Sequence, residues 1–388
     1  MIDFLADRLN KIEKKGNLRV LPELKIEGKY VYVENRCMLN LSSNDYLGLA
    51  SSFYSNKDFD RKETKFASSS SRLLTGNSIE YRQLENRLSE LYYSRAVLLF
   101  NSGYHANIGI LPAITTRRSL ILADKLVHAS IIDGIRLSEA KCIRFKHNDL
   151  NHLNSIVERE FNNYDIIVIV VESIYSMDGD ISDLKALVKL KNKYDNIVLY
   201  VDEAHAVGVR GKNGLGCAEE QNVIPNIDFL IGTFGKALAS YGAYVVCDEK
   251  KRNFLINTAR SFIFSTALPS VNLRWSLYML NKAVEMKQER MYLNNLSIKV
   301  HTVFNECVEN NCSFSHIIPF IIGDSHRCSL YAKEIQKEGF YILPVRPPTV
   351  PEGTSRLRIS LTAACTENEI DKLLSLMKNL DKNEIHIY

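Results

Sequence analysis

The residues of this chain best placed to do chemistry sit in small polar turns that directly follow apolar runs. In Thr233-Phe234-Gly235-Lys236-Ala237-Leu238-Ala239-Ser240-Tyr241-Gly242-Ala243 a lysine occupies a turn of small residues between "FLIG" and "YVVC", with no acidic neighbour in sequence. A solvated surface residue is the ordinary reading of any lysine. This turn, however, gives a long cationic side chain neither apolar surface to cover nor a carboxylate to pair with. It could cradle a phosphate or form a Schiff base with a carbonyl compound. A phosphate loop requires G-x-x-x-x-G-K-[ST], whereas here one glycine precedes the lysine and alanine follows it, which favours the Schiff base.

An aromatic aldehyde that also carries a phosphate needs further groups, and other strand-like runs end on them. After "AVLLF", the stretch "NSGYHAN" offers the Gly103 and Tyr104 amides at a helix N-terminus for a phosphate, or simply a strand-to-helix turn. Asp202, directly after "IVLYV", is either a carboxylate that keeps a ring nitrogen protonated or a helix cap. His205 in "DEAHAVG" suits a phenolic oxygen, or is a structural loop histidine, the more common case for such a residue taken alone; Ser176 in "YSMDGD" offers a hydroxyl to the same oxygen, with Asp178 and Asp180 fixing that turn. His128 in "DKLVHAS" provides a flat ring to lie over a pyridine, or a capping or core histidine. Thr233 has a hydroxyl for the phosphate while Lys236 holds the aldehyde.

These groups require elements that bring five turns together. The runs "AVLLF", "SLILA", "IIVIVV", "IVLYV", "FLIG", "AYVVC" and "FIFS", separated by helix-like stretches, predict a mainly parallel seven-stranded sheet covered on both faces. In such open α/β sheets ligands bind beyond the carboxyl ends of the strands, where the polar turns lie. Residues 1–60 read as an N-terminal arm with a hairpin at "KYVYVENRCMLNL" and a loop at Ser42 to Gly48. Residues 61–275 read as the large domain. Residues 276–388, from the charged helix around "LYMLNKAVEMKQERMYL" through "SHIIPFIIG" and "SRLRISLT", read as a small α+β domain. There is no internal repeat or low-complexity linker.

The bulk properties narrow the setting. With 49 basic and 45 acidic residues among 388, and no basic stripe with interleaved aromatics, nucleic acid is not an expected partner. The longest apolar segment, "IIVIVV", is far short of the ~20 residues that cross a bilayer, so no membrane span is expected. Phe4, Leu5, Leu9 and Ile12 alternate with charges at the N-terminus, which predicts an amphipathic docking helix rather than a secretory signal, and hence a cytoplasmic protein. The eight cysteines form no C-x-x-C pair, and Cys307 and Cys312 lack histidines at ligand spacing, so reduced thiols and no metal site are expected.

In order along nearly the whole chain, "NDYLGLA", "LLFNSGYHAN", "DKLVHASIIDG", "ESIYSMDGD", "VDEAHAVGVRGKNGLG", "TFGKA", "FIFSTALP" and "RPPTVPEGTSRLRISLTAA" resemble the α-oxoamine synthases. These are fold-type I pyridoxal-phosphate enzymes that condense an amino acid with an acyl thioester and release carbon dioxide. The resemblance implies an α/β fold-type I transferase with pyridoxal 5'-phosphate as cofactor. It implies Lys236 as the Schiff-base lysine and acid/base at Cα, Asp202 as partner of the pyridinium nitrogen and His128 as the stacking ring. His205 and Ser176 would meet the phenolic oxygen, and Gly103, Tyr104 and Thr233 the phosphate. Ser265 and Thr266 would reach across from a second subunit, which implies a homodimer with shared active sites. For substrate, Asn44 and Arg358 match the family's carboxylate-binding positions and Arg19 its N-terminal arginine; an arginine fork can take both carboxylate oxygens. Burial beside a cationic ring would lower the lysine's proton affinity from the ordinary ~10.4.

Within the family, "RPPTVPEGTSRLR" and the stretch Phe145 to Asp149 are most similar to members that join L-alanine to a pimeloyl thioester, on CoA or a carrier protein, giving 8-amino-7-oxononanoate for biotin. Members of the 2-amino-3-ketobutyrate CoA ligase, 5-aminolevulinate synthase and serine palmitoyltransferase types are the alternatives. An aminotransferase would share the lysine and aspartate, and a non-catalytic scaffold subunit would lack the lysine. The chain departs from many relatives at Ser68 to Ser71, where a glycine-rich loop is common, at Ala239, where glycine is common, and at Cys365, where histidine is common.

Overall fold

A computed structural model describes residues 2–50, 59, 65–307 and 315–382. The expected boundary at residues 60 and 61, Cys312 and the side chain of Cys307 lie outside the described residues. The chain divides into two compact units, the first made of Met1–Ser52, Ser176–Asp180 and Met291–Tyr388, the second of Phe53–Tyr175 and Ile181–Arg290. In chain order the strands are β1 Lys25–Glu27, β2 Tyr30–Val33, β3 Arg36–Asn40, β4 Ala96–Phe100, β5 Ser119–Asp124, β6 Lys141–Phe145 and β7 Ile166–Glu172. They continue with β8 Ile197–Asp202, β9 Phe229–Thr233, β10 Ala243–Cys247, β11 Ile317–Gly323, β12 Phe340–Tyr341, β13 Pro344–Val345 and β14 Ser355–Ser360.

The second unit is built on a seven-stranded sheet in the order β4-β10-β9-β8-β7-β5-β6, in which β10 alone runs against its neighbours. Its central strands are apolar without alternation because helices cover both faces; in β7 every residue after Ile166 is buried. Val168, Val170, Ile121 and Tyr200 enter one core with Ile110 and Ile131 from flanking helices, each such burial contributing on the order of 1.5–3 kcal/mol. The expected membership of the sheet needs one correction. "FIFS" does not form a strand: Arg260–Ile263 is helical, and its Phe262 packs edge-on against Phe100 at 5.9 Å. The remaining place goes to β6, "KCIRF", which among the described residues is an edge strand paired with β5 alone and whose Lys141 and Arg144 face solvent. A strand covered on few sides keeps charged residues and so lacks the apolar signature of its neighbours.

In the first unit β2 and β3 form the hairpin expected of "KYVYVENRCMLNL". Its two-residue turn places both Glu34 and Asn35 at positive φ, 47° and 65°, the primed geometry that matches strand twist. β12 extends this sheet in parallel beside β3, and β11-β14-β13 form a separate antiparallel sheet. The last helix, Glu367–Lys382, starts on a reciprocal cap: Glu369 N–H donates to Thr366 Oγ1 at 3.3 Å, and Thr366 N–H donates to Glu369 Oε2 at 2.7 Å. The helix Ile2–Lys14 forms as its periodicity requires, with Phe4, Leu5 and Leu9 all more than half exposed.

Candidate active site

Five carboxyl ends of the second unit's sheet open onto one cavity of about 160 Å³. The helix Gly103–Ile114 after β4 contributes Gly103, Tyr104 and Asn107; the turn after β5 contributes His128 and the helix Ala129–Leu137 that follows it Ser130; and β7 contributes Glu172. β8 contributes its last residue, Asp202, and the turn after it Ala204 and His205; β9 contributes its last residue, Thr233, and the turn after it Lys236. Lys236 Nζ lies 2.7 Å from His205 Nε2. The turn that carries the lysine is closed by three backbone bonds, Phe234 N–H to Gly242 O at 3.0 Å, Ser240 N–H to Phe234 O at 2.9 Å and Ala239 N–H to Lys236 O at 2.9 Å.

Asp202 is buried at the end of β8, and both carboxylate oxygens are oriented: Oδ1 accepts the Ala204 amide at 2.9 Å and Oδ2 the Asn107 side-chain amide at 2.9 Å. Asn107 also donates to Ser130 Oγ at 2.9 Å and accepts the Tyr200 hydroxyl at 2.5 Å, so a buried amide ties the carboxylate to the sheet. His128 carries out the capping reading as well as lining the cavity. Its Nδ1 accepts the Ser130 amide at 3.2 Å, starting the helix Ala129–Leu137, and its own N–H donates to Glu172 Oε1 at 2.5 Å. Burial pushes the His128 pKa below its ordinary value, Asp202 pulls it up and Lys236 pushes it down. Burial, with Asp202 adding to it, raises Glu172 well above the usual carboxylate range.

The loop that presents His205 hangs on a second buried carboxylate. Glu203 accepts the Ala218 amide at 2.6 Å, the Cys217 amide at 3.0 Å and the Ser173 hydroxyl, while burial pushes its pKa up to about 7. Gly216 approaches this carboxylate at φ 110°, where a Cβ would come within 2.6 Å of Oε2. Ser102 caps the helix Gly103–Ile114 through its Oγ, taking the His105 amide at 3.2 Å. The first-turn amides of Gly103 and Tyr104 have no carbonyl one turn back to bond, and nothing lies within 4 Å of where a Gly103 Cβ would stand. The Thr233 hydroxyl donates to Gly242 O at 3.0 Å and accepts the Gly235 amide at 3.2 Å.

The other expected site residues are not among those that line this cavity. Arg358, Asn44, Arg19 and Ser176 belong to the first unit. There Arg358 donates to the Ser176 carbonyl at 2.5 Å, to Ser360 Oγ at 2.5 Å, and to Asn44 Oδ1 and the Tyr46 hydroxyl, both at 3.3 Å. Arg19 is exposed and donates to Thr349 Oγ1 at 3.1 Å. Ser265 and Thr266 are in the second unit but do not line its cavity; the Thr266 carbonyl accepts from Asn101 Nδ2 at 2.8 Å. Asn107, Ser130, Glu172 and Ala204 line the cavity without having been singled out from sequence. For Glu172 a signal existed, a charged residue closing an otherwise apolar strand. Among the described residues no group of three or more His, Cys, Asp or Glu is placed to hold a metal, and no helix is long and apolar enough to cross a membrane.

The donor set has a definite chemistry. An amine, a buried carboxylate, an imidazole and a helix N-terminus with free amides share one small cavity. That set fits a flat heteroaromatic aldehyde bearing a phosphate.

Residues 36–376 match the family model for aminotransferase class I and II. A protein of Haemophilus influenzae with the provisional name 8-amino-7-oxononanoate synthase is 50% identical over 95% of this chain and 98% of its own length. A serine palmitoyltransferase variant from S. paucimobilis, solved with bound pyridoxal phosphate and myriocin, superposes with a TM-score of 0.87 at 26% identity, covering 97% of this chain and 96% of that one. The 8-amino-7-oxononanoate synthase of Francisella tularensis superposes with a TM-score of 0.74 at 26% identity, over 89% of this chain and 98% of that one.

Proposed function

The chain belongs to the class I and II aminotransferase family as a fold-type I, pyridoxal-phosphate-dependent α-oxoamine synthase, and from that premise we propose that it condenses L-alanine with a pimeloyl thioester. The products would be 8-amino-7-oxononanoate, carbon dioxide and a free thiol, a step on the way to biotin. The observation that carries the reading is the pairing of Lys236 Nζ with His205 Nε2 at 2.7 Å in the cavity that also holds the oriented Asp202 carboxylate. Half-identical relatives named for this reaction support the choice within the family.

Pyridoxal phosphate, when bound, supplies a carbonyl that condenses with amines and a pyridine ring that takes up electrons from Cα. Lys236 would engage that carbonyl and afterwards move the proton at the amino acid's Cα. His205, 2.7 Å away, would hold the lysine amine and then the phenolic oxygen. Asp202, fixed by Asn107 and Ala204, would keep the ring nitrogen protonated. His128 would stack on the ring, with its imidazole favoured neutral by burial. The amides of Gly103 and Tyr104, and the Thr233 hydroxyl after it turns from Gly242, would take the phosphate. Ser176 would serve the phenolic oxygen, Asn44, Arg358 and Arg19 the substrate carboxylates, and Ser265 and Thr266 the site of a second subunit.

In overall balance, the alanine Cα loses a proton and forms a bond to the thioester carbonyl as the C–S bond breaks and the thiol departs. The original alanine carboxylate leaves as carbon dioxide, and a proton takes its place at Cα. The test is to follow thiol release from pimeloyl-CoA by the cofactor-loaded protein with alanine, glycine or serine. Release with alanine in clear preference is the expected result, whereas release only with glycine or only with serine would assign the chain to another branch of the family.

A further inference from the structure

Ala239 adopts φ 44° in the lysine turn, a left-handed conformation that a residue with a Cβ resists and glycine accepts. Something must hold it there, and the helix Ser270–Glu285 supplies three contacts to two successive residues of the turn. Trp275 Nε1–H donates to the Ala239 carbonyl at 3.0 Å. The hydroxyls of Ser276 and Ser240 lie 2.8 Å apart, and Asn272 Nδ2 donates to Ser240 Oγ at 3.4 Å. The indole is itself held, stacked on Tyr278 with centroids 5.6 Å apart and met edge-on by Phe59 at 5.1 Å. Its N–H therefore has one direction. Ala239 in turn donates its amide to the Lys236 carbonyl, so the peptide that carries the lysine is coupled to the alanine's conformation.

We propose that Trp275 is a positioning residue for Lys236: by fixing the Ala239 carbonyl it keeps an alanine left-handed where glycine would need no brace, and so sets where the lysine amine meets the cofactor. The inference rests on Lys236 being the cofactor's lysine. Without the indole N–H the turn relaxes toward backbone angles that alanine prefers, and the Lys236 peptide rotates with it.

The test is the affinity of the cofactor-free protein for pyridoxal phosphate, read by absorbance, in Trp275→Phe, Ala239→Gly and the double variant. Trp275→Phe keeps the ring packing and loses the donor; its affinity should fall on the order of tenfold, the strain of one left-handed alanine. Ala239→Gly should bind as the parent does, and in its background Trp275→Phe should cost no more than about twofold, because glycine holds the conformation unaided. A purely structural role would lower the unfolding temperature in both backgrounds and leave affinity unchanged, which overturns the proposal. Ala239→Val leaves the helix intact and tests the link from the turn: weaker binding is expected, and parental binding overturns it. Lys236→Ala separates the two readings. If it still gives the parent's imine absorbance on loading with pyridoxal phosphate, the functional reading fails and the proposal with it; if it loses that absorbance while Trp275→Phe binds as tightly as the parent, the proposal alone fails.

Discussion

At the scale of single residues, Lys236 and Asn107 divide the work of the proposed site. Lys236 is the amine in contact with His205, and a group that moves the Cα proton contributes about 10²–10⁴-fold to rate. Lys236→Ala should lose at least that factor in thiol release while its unfolding temperature stays near the parental value, and near-parental turnover would contradict the assignment. Asn107 touches Asp202, Ser130 and Tyr200 from one buried amide. Asn107→Ala leaves three polar partners short of a bond, which should cost on the order of 1–3 kcal/mol in denaturant unfolding and weaken cofactor binding. The residue types were legible because strand ends carrying Asp202, His128 and Lys236 stand out against apolar runs. Asn107 was not, since a helical asparagine announces its use only when the chain folds and brings Asp202, 95 positions away, against it.

At the scale of elements, what could be read was what burial on two faces writes into sequence. β7 and β8 are apolar up to their closing Glu172 and Asp202 because helices cover them, while β6 at the edge keeps Lys141 and Arg144 and hides among loops. The last helix gives a pH prediction. Glu369 is desolvated, which alone would raise its pKa, but Lys29, Tyr30 and the Thr366 cap outweigh this and hold it at about 2 against an ordinary 4.5. Its folded value is depressed, so its stabilisation is complete above pH 4.5 and is lost as pH falls toward about 2. Glu369→Gln should therefore be less stable than the parent by roughly 1–2 kcal/mol near neutrality, a modest figure because the pair is partly solvated. The gap should close as the melts are taken below pH 4.5; a gap independent of pH there would contradict the assignment.

At the scale of the whole molecule, the grouping of chain segments was the least legible feature. Residues 176–180 join the first unit through Arg356, which pairs with Asp178 at 2.5 Å, and through Arg358, which bonds the Ser176 carbonyl. Those partners are 178 and 182 positions apart, and no local pattern encodes such a meeting. Assembly follows from the proposed sharing of Ser265 and Thr266 between subunits. Sedimentation at assay concentration should give twice the chain mass, and a fully active monomer would exclude that sharing. The reaction itself is the central claim, and carboxyl-labelled L-alanine with pimeloyl-CoA tests it most directly. The cofactor-loaded protein should release labelled carbon dioxide and thiol in equal amounts and form 8-amino-7-oxononanoate by mass spectrometry, with Lys236→Ala silent. Thiol release without labelled carbon dioxide, or amino transfer to a 2-oxo acid in its place, would contradict it.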